Sequence, residues 1–165
     1  MKSASINIER ASPDGAGALA ELHAQAFHRG WPAKDFAASC GDDRRIVLKA
    51  ELDRRLAGLL VLQRAADEAE ILSLAVADGS KRRGVGTALL RTAIAACRDK
   101  MICSLFLEVA VSNLPAIHLY KKAGFEVIAH RRNYYQSVSS ARETAYIMKL
   151  DTRATLTQIE RQGQA

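Results

Sequence analysis

Polar and apolar residues alternate over residues 5–9, around Ile6 and Ile8, which is the period of a strand with one buried face. Ser12-Pro13-Asp14-Gly15 marks a turn able to cap the next segment, and residues 16–27 read as a helix. Gly30-Trp31-Pro32 breaks that helix, and a shorter one fits Ala33–Cys40 before the turn Gly41-Asp42-Asp43. The apolar runs 46–50 and 56–63 flank Asp53-Arg54-Arg55 and predict a hairpin. Residues 70–76, Glu-Ile-Leu-Ser-Leu-Ala-Val, have the apolar density of a strand covered on both faces and end at Ala77-Asp78-Gly79.

The pattern then changes period. Residues 85–100 place Leu89, Leu90, Ala93, Ile94 and Cys97 on a wide apolar helix face, with Thr87, Arg91, Arg98 and Asp99 near one polar edge. That face predicts packing on a sheet. Residues 104–109 read as another buried strand, and Ser112-Asn113 caps a helix that carries Pro115 in its first turn and stops at Gly124. Final strands are expected at 125–129 and 144–150, joined by a long polar, tyrosine-bearing connection over 131–142. Residues 1–150 thus read as one domain of mixed α/β class, and 151–165 as a polar tail, frayed or a short surface helix.

Composition narrows the partners. Apolar residues are 48% and charged residues 25% of the 165, and no apolar stretch approaches the roughly 20 residues that span a bilayer. The N-terminal residues run into the first strand without the apolar segment of a secretory signal, so a cytoplasmic location is expected. Cys40, Cys97 and Cys103 have no metal or disulfide spacing and read as free thiols, and His23, His28, His118 and His130 lack ligand spacing, so no metal is expected. The net charge of +6 gathers in Arg44-Arg45, Arg54-Arg55, Lys81-Arg82-Arg83, Lys121-Lys122 and Arg131-Arg132, which favours an anionic partner. Aromatic residues at 5% and the lack of a helix with a continuous basic stripe argue against direct nucleic-acid binding, and a polyphosphate ligand or a ribonucleoprotein context explains the charge as well.

The strand ending at Val76, the basic turn Lys81-Arg82-Arg83-Gly84 and the helix from Val85 form a phosphate-holding arrangement. Glycine lets backbone approach an anion, and the first amides of a helix lack internal partners and sit at its positive end. Gly84 and Gly86 provide the approach, and the amides of Val85, Gly86, Thr87 and Ala88 are the candidate donors. The alternative is a plain helix start beside a solvated basic turn. No Gly-Lys-Ser/Thr comes after it and Leu89 replaces the third glycine of a dinucleotide fingerprint, which argues against nucleoside triphosphate hydrolysis.

Ile71-Leu-Ser-Leu-Ala-Val, Gly84-Val-Gly-Thr-Ala-Leu-Leu90, Leu107-Glu-Val-Ala-Val-Ser-Asn113 and Ala116-Ile-His-Leu-Tyr-Lys-Lys-Ala-Gly-Phe125 together resemble the GNAT acetyltransferase superfamily. Arg131-Arg-Asn-Tyr-Tyr135 is similar to its bacterial ribosomal-protein-alanine N-acetyltransferase group, as is the stretch around Trp31 to that group's substrate-side loop. The similarity runs over residues 70–150. It implies a mixed, mostly antiparallel sheet splayed between two parallel strands, flanked by about four helices, with acetyl-CoA in the gap. It further implies that backbone at Leu74, Ala75 and Val76 pairs with the pantetheine arm, Val76 N–H polarising the thioester, that Lys81 through Ala88 hold the diphosphate, and that Asn113 contacts the cofactor. The general base is then Glu108 and the general acid Tyr120. Lys81 stands where Gln or Arg is usual, Ala110 where the alanine group commonly has Arg, and Gln136 where it often has Pro.

Acetyl transfer from a thioester to an amine needs a neutral amine, a stabilised oxyanion and a proton for the leaving thiolate. Glu108 sits on an apolar strand that implies partial burial; it reads equally as an edge carboxylate paired with Lys or Arg. Tyr120 alone reads as a core aromatic with a wet tip. At pH 7 an α-amine of pKa near 7.8 is roughly 10% neutral and a lysine amine below about 0.1%, so a chain terminus is the easier acceptor. Trp31, Tyr134 and Tyr135 are the candidate walls of a peptide groove, Trp31 equally a core plug. The expected function is acetylation of a protein N-terminus, with a small-molecule amine or a non-catalytic CoA-binding module as alternatives, in a monomer or weak dimer.

Overall fold

The chain is known from a computed structural model that describes residues 5–136 and 142–153; the side chains of 133–136, 142 and 143 fall outside that description. The elements are β1 (Ile6–Arg10), α1 (Ala16–Ala26), α2 (Ala33–Cys40), β2 (Arg45–Leu52), β3 (Arg55–Ala65), β4 (Glu68–Val76), α3 (Val85–Asp99), β5 (Ser104–Ala110), α4 (Leu114–Lys122), β6 (Glu126–Gln136) and β7 (Arg142–Asp151). They form a seven-stranded sheet in the order β1-β2-β3-β4-β5-β7-β6. Among the described residues, only the β4–β5 pair is parallel.

Asp53 and Arg54 close the predicted hairpin with φ of 52° and 64°, the left-handed pair that matches strand twist in a tight turn. β3 then pairs with β4 through a second hairpin that sequence reading did not anticipate. Leu59, Leu60, Val61 and Leu62 of β3 are all fully buried, because helices cover both faces of this half of the sheet. On one face Val85, Leu89, Leu90, Ala93, Ile94 and Cys97 of α3 pack with Leu48, Leu60, Leu107 and Met148, in the pattern read from the sequence. On the other, Leu19 and Leu22 of α1 and Phe36 of α2 pack on Val47, Leu59 and Ala75. Gly58 seats α3, since a Cβ there would lie 2.9 Å from Val85 Cγ1 and 3.0 Å from Leu89 Cδ1.

The parallel pair is short. β4 and β5 are in register from Glu68↔Ser104 to Ile71↔Leu107. Beyond that rung β4 stays with β3 as far as Val76, and β5 stays with β7 as far as Ala110, so the sheet parts between them.

Two expectations are corrected. The polar stretch after residue 130 is strand: β6 continues to Gln136, with an irregular register between Arg131 and Tyr135. As the edge strand it needs hydrogen-bond partners on one side only, so polar composition does not exclude it. β5 is buried on one face, not two: Leu105, Leu107 and Val109 are in the core, whereas Phe106 and Glu108 are half-buried on the face that α1 and α2 leave open. Just past β7, fully buried Thr152 donates its hydroxyl to the Ile102 carbonyl, and Arg98 Nε holds its carbonyl at 2.8 Å. The rest of the expected tail lies outside the described residues. Among the described residues, no helix is long and apolar enough to cross a membrane.

Candidate active site

The turn before α3 is held in an unusual backbone state, with Arg82 at φ 61° and Gly84 at φ 86°. Among the described residues, no side chain caps α3. Ala88 N–H already donates to the Gly84 carbonyl at 2.9 Å, so the donor set expected from sequence narrows to Val85, Gly86 and Thr87, which find no acceptor among the described residues. Lys81 is paired with Asp78 at 2.6 Å and Arg83 with Asp53 at 3.5 Å. Both pairs are solvent-exposed and contribute little, so an anion with several oxygens can displace the carboxylates. Free amides, a helix's positive end and three cations together fit a diphosphate.

The helix mouth opens onto the gap in the sheet. A Cβ on Gly86 would lie 3.3 Å from Leu119 Cδ2 and 3.7 Å from Val76 Cγ2, so α3, α4 and the end of β4 converge there. Leu74 and Val76 are half-buried toward α3 and Ala75 is buried toward α1, along the stretch of β4 that has lost its β5 neighbour. Asn113 caps α4, its side-chain oxygen accepting from Ala116 N–H at 3.3 Å.

Glu108 stands one residue past the last β4–β5 rung. Its Oε1 accepts from Arg131 Nη1 at 2.8 Å, while Oε2 is buried with no hydrogen-bond partner among the described residues. One oxygen is thus fixed in an ion pair, as the paired-carboxylate reading expected, and the other is held away from solvent. Tyr120 is buried with Leu107 and Val109, edge-on to Phe125 at 5.7 Å. Glu108 lies between those two residues in β5 and faces the other way, so Glu108 and Tyr120 lie on opposite faces of the sheet.

Glu70 was not singled out in the sequence. It shares Glu108's face, opposite Phe106 in register, and its carboxyl is pushed above the usual range by burial and by the charge of Glu108, against a smaller opposing effect of Arg131. The alternation of Glu68 and Glu70 with Ala69 and Ile71 carries the signal that finds it. Trp31 is part-buried against Phe36, with rings 5.5 Å apart, and against His23 at 5.2 Å, so it plugs the small core while lying on Glu108's side of the sheet. Tyr134 and Tyr135 lie in β6, but their side chains fall outside the described residues. Among the described residues, no group of three or more His, Cys, Asp or Glu could hold a metal ion.

A family model described as Acetyltransferase (GNAT) family matches residues 16–125. The chain is 38% identical over 130 residues to the [ribosomal protein bS18]-alanine N-acetyltransferase of Salmonella typhimurium, covering 79% of this chain and 85% of that one. The crystal structure of the ribosomal-protein-S18-alanine N-acetyltransferase from Escherichia coli superposes with a TM-score of 0.83 at 30% identity, covering 90% of this chain and 94% of that one. A Salmonella typhimurium structure solved with its cofactor acetyl-CoA shares the fold at 18% identity, with a TM-score of 0.79 over 89% of this chain and 94% of that one.

Proposed function

The chain belongs to the GNAT acetyltransferase family, and from that premise we propose that it transfers the acetyl group of acetyl-CoA to the N-terminal α-amine of a protein, the alanine terminus of a small-subunit ribosomal protein in particular. It is an N-acetyltransferase; the acceptor and the residue roles are our reading. The observation that carries it is the parting of β4 and β5, with three amides that find no partner among the described residues at one end and Glu108 at the other.

The residues present fit the cofactor. Val85, Gly86 and Thr87 amides with Lys81, Arg82 and Arg83 would hold the diphosphate, and the unpaired edge of β4 at Leu74, Ala75 and Val76 would receive the pantetheine amides. The bound group supplies an activated acetyl thioester. Glu108 takes the proton of the attacking amine, directly or through a water, while Arg131 fixes the carboxylate by Oε1. Tyr120 gives its phenolic proton to the departing sulfur.

An α-amine suits a single carboxylate base, because roughly a tenth of it is already neutral near pH 7. A second reading, a small polyamine acceptor, is favoured by one observation: Glu70 and Glu108 face the same opening with Arg131 as their shared cation. Steady-state turnover with acetyl-CoA against peptides beginning Ala, Ser, Met and Gly, beside free lysine and polyamines, separates the two. Our reading expects the alanine peptide to lead; a polyamine leading by tenfold or more overturns it.

A further inference from the structure

His23 of α1 is 3% exposed, and the proposed transfer does not use it. Its Nδ1 accepts the Trp31 backbone N–H at 3.1 Å, which places the ring proton on Nε2, and Nε2 lies 3.0 Å from Ser73 Oγ in β4. Phe27, Trp31 and Phe36 enclose the ring, with centroids at 4.4, 5.2 and 5.5 Å. Gly30 lets the intervening loop fold onto α1, since a Cβ there would meet Ala24 Cα at 2.8 Å. One imidazole therefore ties the loop before α2 to β4 two residues past the last β4–β5 rung, on the face that Glu108 uses.

We propose that His23 is a positioning residue for the acceptor: in its neutral form it latches the Trp31 loop to β4, so that the acceptor wall is assembled only while the imidazole is uncharged. The proposal rests on the reading that the acceptor enters on this face. A second ring proton would set a donor against the Trp31 N–H, with no carboxylate to receive it. Around the ring, Ser73 and the enclosing aromatics are uncharged. Cys40 of α2, in the same cluster, is raised by burial and stays a neutral thiol. Glu70 and Glu108 share the face further along the sheet, and Glu21, His28, Arg29, Lys34 and Asp35 on the neighbouring segments are exposed. Burial lowers the His23 pKa below its ordinary 6.5, so the latch contributes fully above that value and is lost as pH falls through the lower folded one.

Trp31 is the chain's single tryptophan, so its fluorescence reports the loop directly. Emission maximum and acrylamide quenching are followed from about pH 8 down to the lowest pH at which circular dichroism still shows the native fold. In wild type the emission moves to the red and quenching rises on acidification, a step absent from His23→Gln; a flat wild-type profile, or the same step in the variant, overturns the latch. In the transfer assay at neutral pH, His23→Phe raises the KM for an alanine-terminated peptide about tenfold, as for one lost hydrogen bond, leaves the acetyl-CoA KM unchanged, and is partly rescued by His23→Gln. An unchanged peptide KM in both variants overturns the acceptor role. If wild type acetylates no peptide terminus, the proposed function fails by itself and the fluorescence step still decides the latch.

Discussion

Gly84→Ala perturbs the phosphate cradle through its backbone alone. Gly84 sits at φ 86°, and its added methyl would meet only Ile6 Cδ1 at an ordinary 3.7 Å, so the cost is conformational and not steric. An L-residue in that region costs about 1–2 kcal/mol. Loss of unfolded-chain entropy returns about 0.4–1 kcal/mol of it. The net loss of about 1 kcal/mol lowers the melting temperature of a domain this size by about 2–4 °C. Relaxing the strain also turns the amides of the first helical turn. Losing one charge-assisted bond to phosphate costs about 1.5–3 kcal/mol, about tenfold to a hundredfold in coenzyme A affinity. Gly84→Asn, which tolerates the left-handed state, should recover most of both losses. Thermal melting and isothermal calorimetry with coenzyme A provide the two readouts. Wild-type affinity in the alanine variant would show that the amides after Gly84 do not hold the phosphates.

Gly58→Ala should cost about 1–3 kcal/mol in urea denaturation, because its Cβ would sit 2.9 Å from the Ala75 carbonyl, which is backbone and cannot swing aside; an unchanged midpoint would mean α3 is seated elsewhere. Tyr120→Phe should slow release of free coenzyme A thiol in a disulfide-exchange colour assay, and wild-type rates across pH would assign the acid to another group. Burial pushes the Cys97 thiol up to about 11, so iodoacetamide at about pH 8 should label it only in denaturant; rapid labelling of the native protein would contradict the packing of α3.

The elements that carry the site were legible because their signals are local. Apolar spacing from Val85 to Cys97 marks α3, and glycine beside basic residues marks its mouth. Asn113 was readable as a cap because capping needs one oxygen at a fixed offset. The features that stayed hidden depend on strands meeting across the sheet. The ion pair of Glu108 with Arg131 needs β5, β7 and β6 side by side, which no period in the chain encodes. The one-sided burial of β5 depends on where α1 and α2 stop covering the sheet. His23 carried no signal beyond its lack of ligand spacing, because its partners, Trp31 and Ser73, come from a loop and a distant strand.

Single-turnover acetyl transfer by Glu108→Gln, with coenzyme A affinity measured on the same preparation, tests the site most directly. The account predicts that transfer to an alanine-terminated peptide falls by about a hundredfold or more while coenzyme A binds as in wild type. Transfer at the wild-type rate would remove the carboxylate from the reaction and contradict the account.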